Sequence, residues 1–238
     1  MKRFWEIDVV RGIALIRIVI FNWSFALMYL GIYNFSIGMA LPGLGASIFI
    51  FLAGLSLTIS YSRVKHKKSG TYKKYFSRGL KIFFYGMIIT AITYALFPEA
   101  FIIFGILHFI GVSIILGQFF LKYRKLNLFL GLFFILLGLY LQTMTFDFSW
   151  LLWLGFAPSN FYSFDYFPLL PWFGLTLIGM WFGNVFYENG KRRFKIKDMS
   201  GNFIVRVLTW LGSHSLKIYL LHQPLLMLIL ILLGFKLF

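Results

Sequence analysis

Apolar residues occur along this chain in long unbroken runs, with the polar residues gathered between them. A helix needs roughly 20 apolar residues to cross a hydrocarbon core of about 30 Å. Seven runs approach or exceed that length, at 9–30, 41–61, 79–97, 101–121, 126–143, 166–187 and 214–237. The runs are continuous and do not alternate, so helices are expected, because in lipid only a helix satisfies the backbone groups of an isolated run within itself. Residues 202–211 (NFIVRVLTWL) are too short to span and are expected to form an interfacial helix. The aromatic segment 149–166 (SWLLWLGFAPSNFYSFDY), interrupted by Gly155 and Pro158, fits an interfacial or re-entrant element at the outer mouth, the place of a lid.

Charge then orients the runs. Lys and Arg number three in residues 1–11, eight in 62–81, three in 122–125 and six in 191–206, whereas 31–40, 98–100 and 144–165 carry none. Basic loops stay cytoplasmic, so the N-terminus is expected in the cytoplasm and, after about seven spans, the C-terminus outside. The opening MKRFWEIDVVRG carries acids beside bases and leads into an apolar run with no small-residue cleavage site, so it reads as a retained first helix. The expected fold class is all-α, a polytopic transmembrane helix bundle forming a single domain over 1–238 in the cell membrane.

Composition agrees. The chain is 60% hydrophobic and 13% charged, which leaves too little polar surface for a water-soluble globule. A net charge of +16 is compatible with nucleic acid only on a solvated face; here the bases flank spans, so the expected partner is the lipid bilayer and not nucleic acid. The absence of cysteine excludes disulfides, thiolate metal ligands and a Cys nucleophile.

Polar side chains within the runs are costly in lipid and mark candidate sites. In the first run Asp8, Arg11, Leu15, Ile18 and Asn22 share one helix face, a polar stripe that should point into the bundle. Asp8 and Arg11 can also form a local ion pair at i,i+3, and Asn22 can bridge two helices. In the fourth run His108 is a candidate base or an interhelical hydrogen-bond partner, and no second His, Asp or Glu at ligand spacing accompanies it to make a metal site. In the seventh run Ser215 and His222 share a face, Pro224 bends the helix and frees carbonyls nearby, and Lys217 lies near the cytoplasmic end. His66, in the basic loop, reads as solvated. At the outer mouth Asp165, with Glu99 and Asp147, supplies a mildly acidic lining suited to a cation or a polyhydroxylated acceptor, or simply solvated loop charge; Pro168 and Pro171 suit the first turn of the sixth run.

The strings RFWEIDVVRGIALI with Asn22 following, SIFIFLAGLSLTISYSR, FGILHFIGVSIIL, LLWLGFAPSNFYSFDYFPLLPWFG and LGSHSLKIYLLHQP resemble the small prokaryotic relatives of the heparan-alpha-glucosaminide N-acetyltransferase catalytic domain, nearly end to end. The resemblance implies a membrane acyltransferase that passes an acetyl group from cytoplasmic acetyl-CoA, without a metal, to an amine or hydroxyl, often on a sugar, at the external face. On that reading Arg11, Arg78, Lys81 and Lys217 would hold the phosphates of the CoA thioester. Asn22 would position the thioester or stabilise an oxyanion, His108 would deprotonate the acceptor, His222 would complete the catalytic set, and Asp165 and Trp172 would meet a glycan or small amine acceptor. The competing reading is a small-molecule carrier, which the polar stripe and Pro224 also permit; the paired interrupted helices in two related halves that mark many carriers are not visible. Neither reading decides between a monomer and a homo-oligomer.

Overall fold

The computed structural model describes residues 3–33, 43–64 and 71–235. His66 and the stretch 34–42 lie outside the described residues. Among the described residues six helices are long and apolar enough to cross a membrane: α1 (Trp5–Tyr29), α2 (Leu44–Ser62), α3 (Thr71–Leu96), α5 (Arg124–Leu141), α6 (Leu169–Phe186) and α8 (Ser215–Leu232). Two shorter apolar helices, α4 (Ile106–Gly117) and α7 (Phe203–Ser213), complete the all-helical architecture. Chain packing divides the described residues into two compact units, Met1–Phe49 with Ile196–Phe238 and Ile50–Lys195.

Two elements differ from the sequence pattern for physical reasons. The run at 101–121 does not become one long helix: α4 has 12 residues, about 18 Å at 1.5 Å per residue, followed by a single 3-10 turn. The residues before it run non-helical because they pair with the outer segment. Phe164 and Phe167 N–H donate to the Ala100 and Phe104 carbonyls, and Phe104 and Tyr166 form a parallel bridge. The segment expected as a lid is therefore stitched to residues 100–104 by backbone bonds. Conversely, α3 begins about two turns before its apolar run, since TYKKYFSR contains no helix breaker and Tyr75 is buried with its hydroxyl on Ser60 Oγ.

In the first unit the polar stripe of α1 faces inward as its spacing requires: Asp8, Leu15 and Ile18 are buried, while Val10, Ile13, Ile16 and Ile20 are exposed. α7 lies across the α1 end that carries the stripe's charges. A methyl group on Gly12 would run into the Leu208 carbonyl, and one on Gly212 into the Asp8 carbonyl. Asn202 caps α7, its side-chain oxygen accepting the Ile204 and Val205 N–H groups at 2.9 and 3.4 Å. Farther along, Ala26 packs with Leu226 and Leu230 of α8.

The second unit repeats the device. Gly54 of α2 abuts the Thr176 carbonyl of α6, and Gly179 abuts the Phe51 carbonyl; Gly131 of α5 and Gly174 of α6 face each other's carbonyls, and Gly79 of α3 pairs with Gly111 of α4. Between helices in lipid there is little hydrophobic drive, so close backbone approach through small residues supplies the attraction.

A methyl group at Gly54 or Gly179 is therefore expected to force α2 and α6 apart, at a cost of about 1–3 kcal/mol each. Gly54→Ala and Gly179→Ala should lower the thermal midpoint of the detergent-solubilised protein, while Gly201→Ala, with nothing within 4 Å of the added carbon, should leave it unchanged.

Candidate functional site

The first unit brings α1 and α8 together at Asn22 and His222, residues 200 apart in sequence. Asn22 Nδ2 lies 3.2 Å from His222 Nε2. His222 Nδ1 lies 2.6 Å from the Tyr219 carbonyl, a partner that can only accept, so Nδ1 carries the proton. Nε2 is then the lone-pair nitrogen, and Asn22 donates to it. An imidazole oriented by a carbonyl at Nδ1, with a basic Nε2, is the geometry of a neutral general base. Trp23, the next residue on α1, donates its indole N–H to the His222 carbonyl at 3.2 Å. Pro224 lies inside α8 two residues on, as its position in HQP indicates.

At the other end of the stripe Arg11 donates to Asp8 Oδ1 at 2.7 Å, the i,i+3 pair that the spacing allows. Asp8 is buried and its Oδ2 has no hydrogen-bond partner, whereas Arg11 stays partly open to solvent. Lys217, in the first turn of α8, is exposed.

In the second unit His108 is in different surroundings. The Gly105 N–H donates to His108 Nδ1 at 3.2 Å, so the proton is on Nε2, which meets Thr90 Oγ1 at 3.3 Å; that hydroxyl in turn donates to the Ile102 carbonyl at 2.6 Å. His108 is the third residue of α4 and closes a capping box on the backbone at Gly105. Phe104 stacks on the ring, Phe83 meets it edge-on, and Gly86 of α3 leaves the room it occupies. With 2% of its surface exposed and both nitrogens engaged, His108 gains a proton only by giving up the cap on Gly105.

Asp165 sits beside this cap. Its Oδ2 accepts the Ile106 N–H at 2.9 Å, so α4 begins with consecutive backbone donors held by His108 and Asp165. A side chain on Gly105 would strike that carboxylate. Removal of water pushes the Asp165 carboxyl up to about 6 from 3.8, opposed by the Ile106 N–H; among the described residues no cation is paired with it. Burial likewise raises the neighbouring Tyr166 phenol to about 12, and its hydroxyl donates to the Leu152 carbonyl.

Trp172, in the first turns of α6, packs against Phe167 at 4.9 Å between ring centroids. Arg78 and Lys81 lie exposed on α3, the Lys81 ammonium 5.9 Å from the Tyr85 ring centroid. Glu99 and Asp147 are exposed. Sequence reasoning did not single out Trp23, Tyr219 or Thr90. Tyr219 stands three residues before His222, the spacing at which an imidazole reaches back to its own helix, and that is the one signal that was available.

A family model described as "Heparan-alpha-glucosaminide N-acetyltransferase, catalytic" matches residues 3–224. No curated protein and no solved structure matches the chain.

The raised Asp165 pKa has a definite sign for stability. Between about 3.8 and 6 the folded protein holds more protons than the unfolded chain, so Asp165 makes stability fall as pH rises through that window. Thermal unfolding between about pH 5 and about pH 7 should show this as a contribution that favours the lower pH. Asp165→Asn should remove it; an unchanged pH dependence in that variant would place the titration elsewhere.

Proposed function

Since the chain belongs to the heparan-alpha-glucosaminide N-acetyltransferase catalytic family and is thus a membrane acetyltransferase, we propose that it transfers acetyl from cytoplasmic acetyl-CoA to an amine or hydroxyl, on a sugar, at the external face. The observation that carries the assignment of groups is the Asn22–His222 pair: an imidazole with its Nε2 lone pair held by an amide donor, on two packed helices.

In this reading the acceptor N–H or O–H displaces the Asn22 amide from Nε2 and gives its proton to His222 as it attacks the thioester carbonyl. The released Asn22 amide donates to the oxyanion. Collapse breaks the C–S bond, and His222 returns the proton to the departing thiolate, so that acetyl-CoA and acceptor become CoA thiol and acetylated acceptor.

Arg11 and Lys217, at the same end of their unit as the Asp8 ion pair, carry charge suited to phosphates; Arg78 and Lys81 carry the same chemistry on the second unit. Asp165 and Trp172 lie in the second unit, where Asp165 holds the Ile106 N–H and Trp172 packs on Phe167, and no part of the transfer is assigned to them. His108, whose nitrogens cap α4 and meet Thr90, is assigned a positioning role beside Asp165.

Radiolabelled acetyl transfer from acetyl-CoA to glucosamine in proteoliposomes tests these roles. His222→Ala should lower turnover by about 10²-fold or more. His108→Gln should retain most of it, because Gln at the third helical position also accepts the cap N–H. Loss of turnover in His108→Gln at an unchanged thermal midpoint would instead make His108 the base. Acetyl-CoA binding should be saturable and weakened by Arg11→Ala. Binding that vanishes with moderate salt would mark simple attraction to a +16 protein and count against the donor assignment.

A further inference from the structure

Three of the hydrogen bonds that hold His222 are not equivalent. Two involve the ring: Nδ1 to the Tyr219 carbonyl at 2.6 Å, and Nε2 to Asn22 at 3.2 Å. The third involves only the backbone, where the Trp23 indole donates to the His222 carbonyl at 3.2 Å. On the reading above, the Asn22 bond must open in every turnover, because Nε2 cannot accept from Asn22 and from the acceptor at once. The Tyr219 bond lies within α8 and does nothing to hold that helix on α1. The indole bond joins the two helices and touches no atom that reacts.

We propose that Trp23 is a positioning residue for the acyl transfer, holding the His222 backbone on α1 while the Asn22 amide is exchanged for substrate. This rests on the assignment of His222 as base. Local structure gives the bond unusual leverage. Pro224 supplies no N–H to the Leu220 carbonyl, so the turn of α8 that contains His222 lacks one backbone bond. The Trp23 ring also packs on the Ala26, Leu226 and Leu230 cluster one turn farther along, which fixes the indole itself. Asn22 and Trp23 are adjacent, so any slip of α8 that loses the indole bond also moves Nε2 away from the amide. Since a misplacement of about 1 Å can cost 10²-fold in rate, a bond that sets this register belongs to the catalytic apparatus without meeting substrate.

The test is Trp23→Phe, which keeps an aromatic ring against the cluster and removes the donor. Steady-state kinetics should show kcat reduced about tenfold with KM for acetyl-CoA unchanged. The acidic limb of the kcat–pH profile should move, which a loss of stability alone would not produce. The imidazole 15N spectrum of His222, in protein with the other three histidines replaced by Gln or Asn, should lose its single Nδ1-protonated tautomer signal in Trp23→Phe; that readout is independent of turnover. A Trp23→Phe protein with a lower thermal midpoint but unchanged kcat, pH profile and imidazole signal would overturn the proposal, leaving Trp23 as packing. If His222→Ala keeps full turnover, the base assignment falls instead, and with it the catalytic meaning of the Trp23 bond, whatever the imidazole spectrum shows.

Discussion

Contact of backbone against backbone through paired glycines is the constraint on which the rest of this structure depends. A soluble bundle holds its helices together by removing apolar side chains from water. Helices in lipid gain nothing comparable, since acyl chains are as apolar as leucine. Van der Waals contact at very short range, aided by weak Cα–H donors to carbonyls, has to suffice. That contact needs a partner without a side chain on at least one helix, as where Gly54 meets the Thr176 carbonyl and Gly179 the Phe51 carbonyl between α2 and α6, or on both, as at Gly12 and Gly212 between α1 and α7. Each crossing fixes two helices at one register, and every polar group then has to find its partner within that register.

The polar groups do so in different ways in the two units. In the first, Asn22 and His222 satisfy one another across two helices, a bond that the proposed transfer would exchange for one to the acceptor. In the second, His108 and Asp165 are spent on the first backbone donors of α4, and Thr90 takes the remaining imidazole proton. The same residue type therefore stands in two roles. A histidine whose Nδ1 faces a carbonyl has a free basic nitrogen to trade, whereas one whose Nδ1 faces an amide N–H is consumed in holding a helix end.

The stitching of the outer segment follows from the same shortage of partners. Residues 100–105 precede α4 with Ala100, Phe104 and Gly105 buried, where unpaired backbone groups are expensive, and the bonds from Phe164 and Phe167 together with Thr90 and Thr93 pair groups of this stretch. Gly105 permits this because Asp165 occupies the space a side chain would fill. The end of the aromatic outer segment, from Ser163 to Phe167, is thereby bonded to the stretch before α4.

The sequence by itself determined the all-helical membrane-spanning class, six of the long helices to within a few residues apart from the early start of α3, the inward face of α1, and the family, because these follow from composition, period and contiguous strings. Asn22 and His222 were legible as polar residues on inward faces, since a polar group is conspicuous in an apolar run. Only the tertiary structure decided that they meet, which tautomer each histidine adopts, and that Trp23 joins them. Those depend on which helices touch and at what register, and the glycine pairs that settle this are far apart in sequence, with nothing in the run around Gly12 to name Gly212 as its partner. Helix α4 is shorter than its apolar run for the same reason: the residues before it are taken by a segment about 60 positions away, a competition for hydrogen bonds invisible to local pattern.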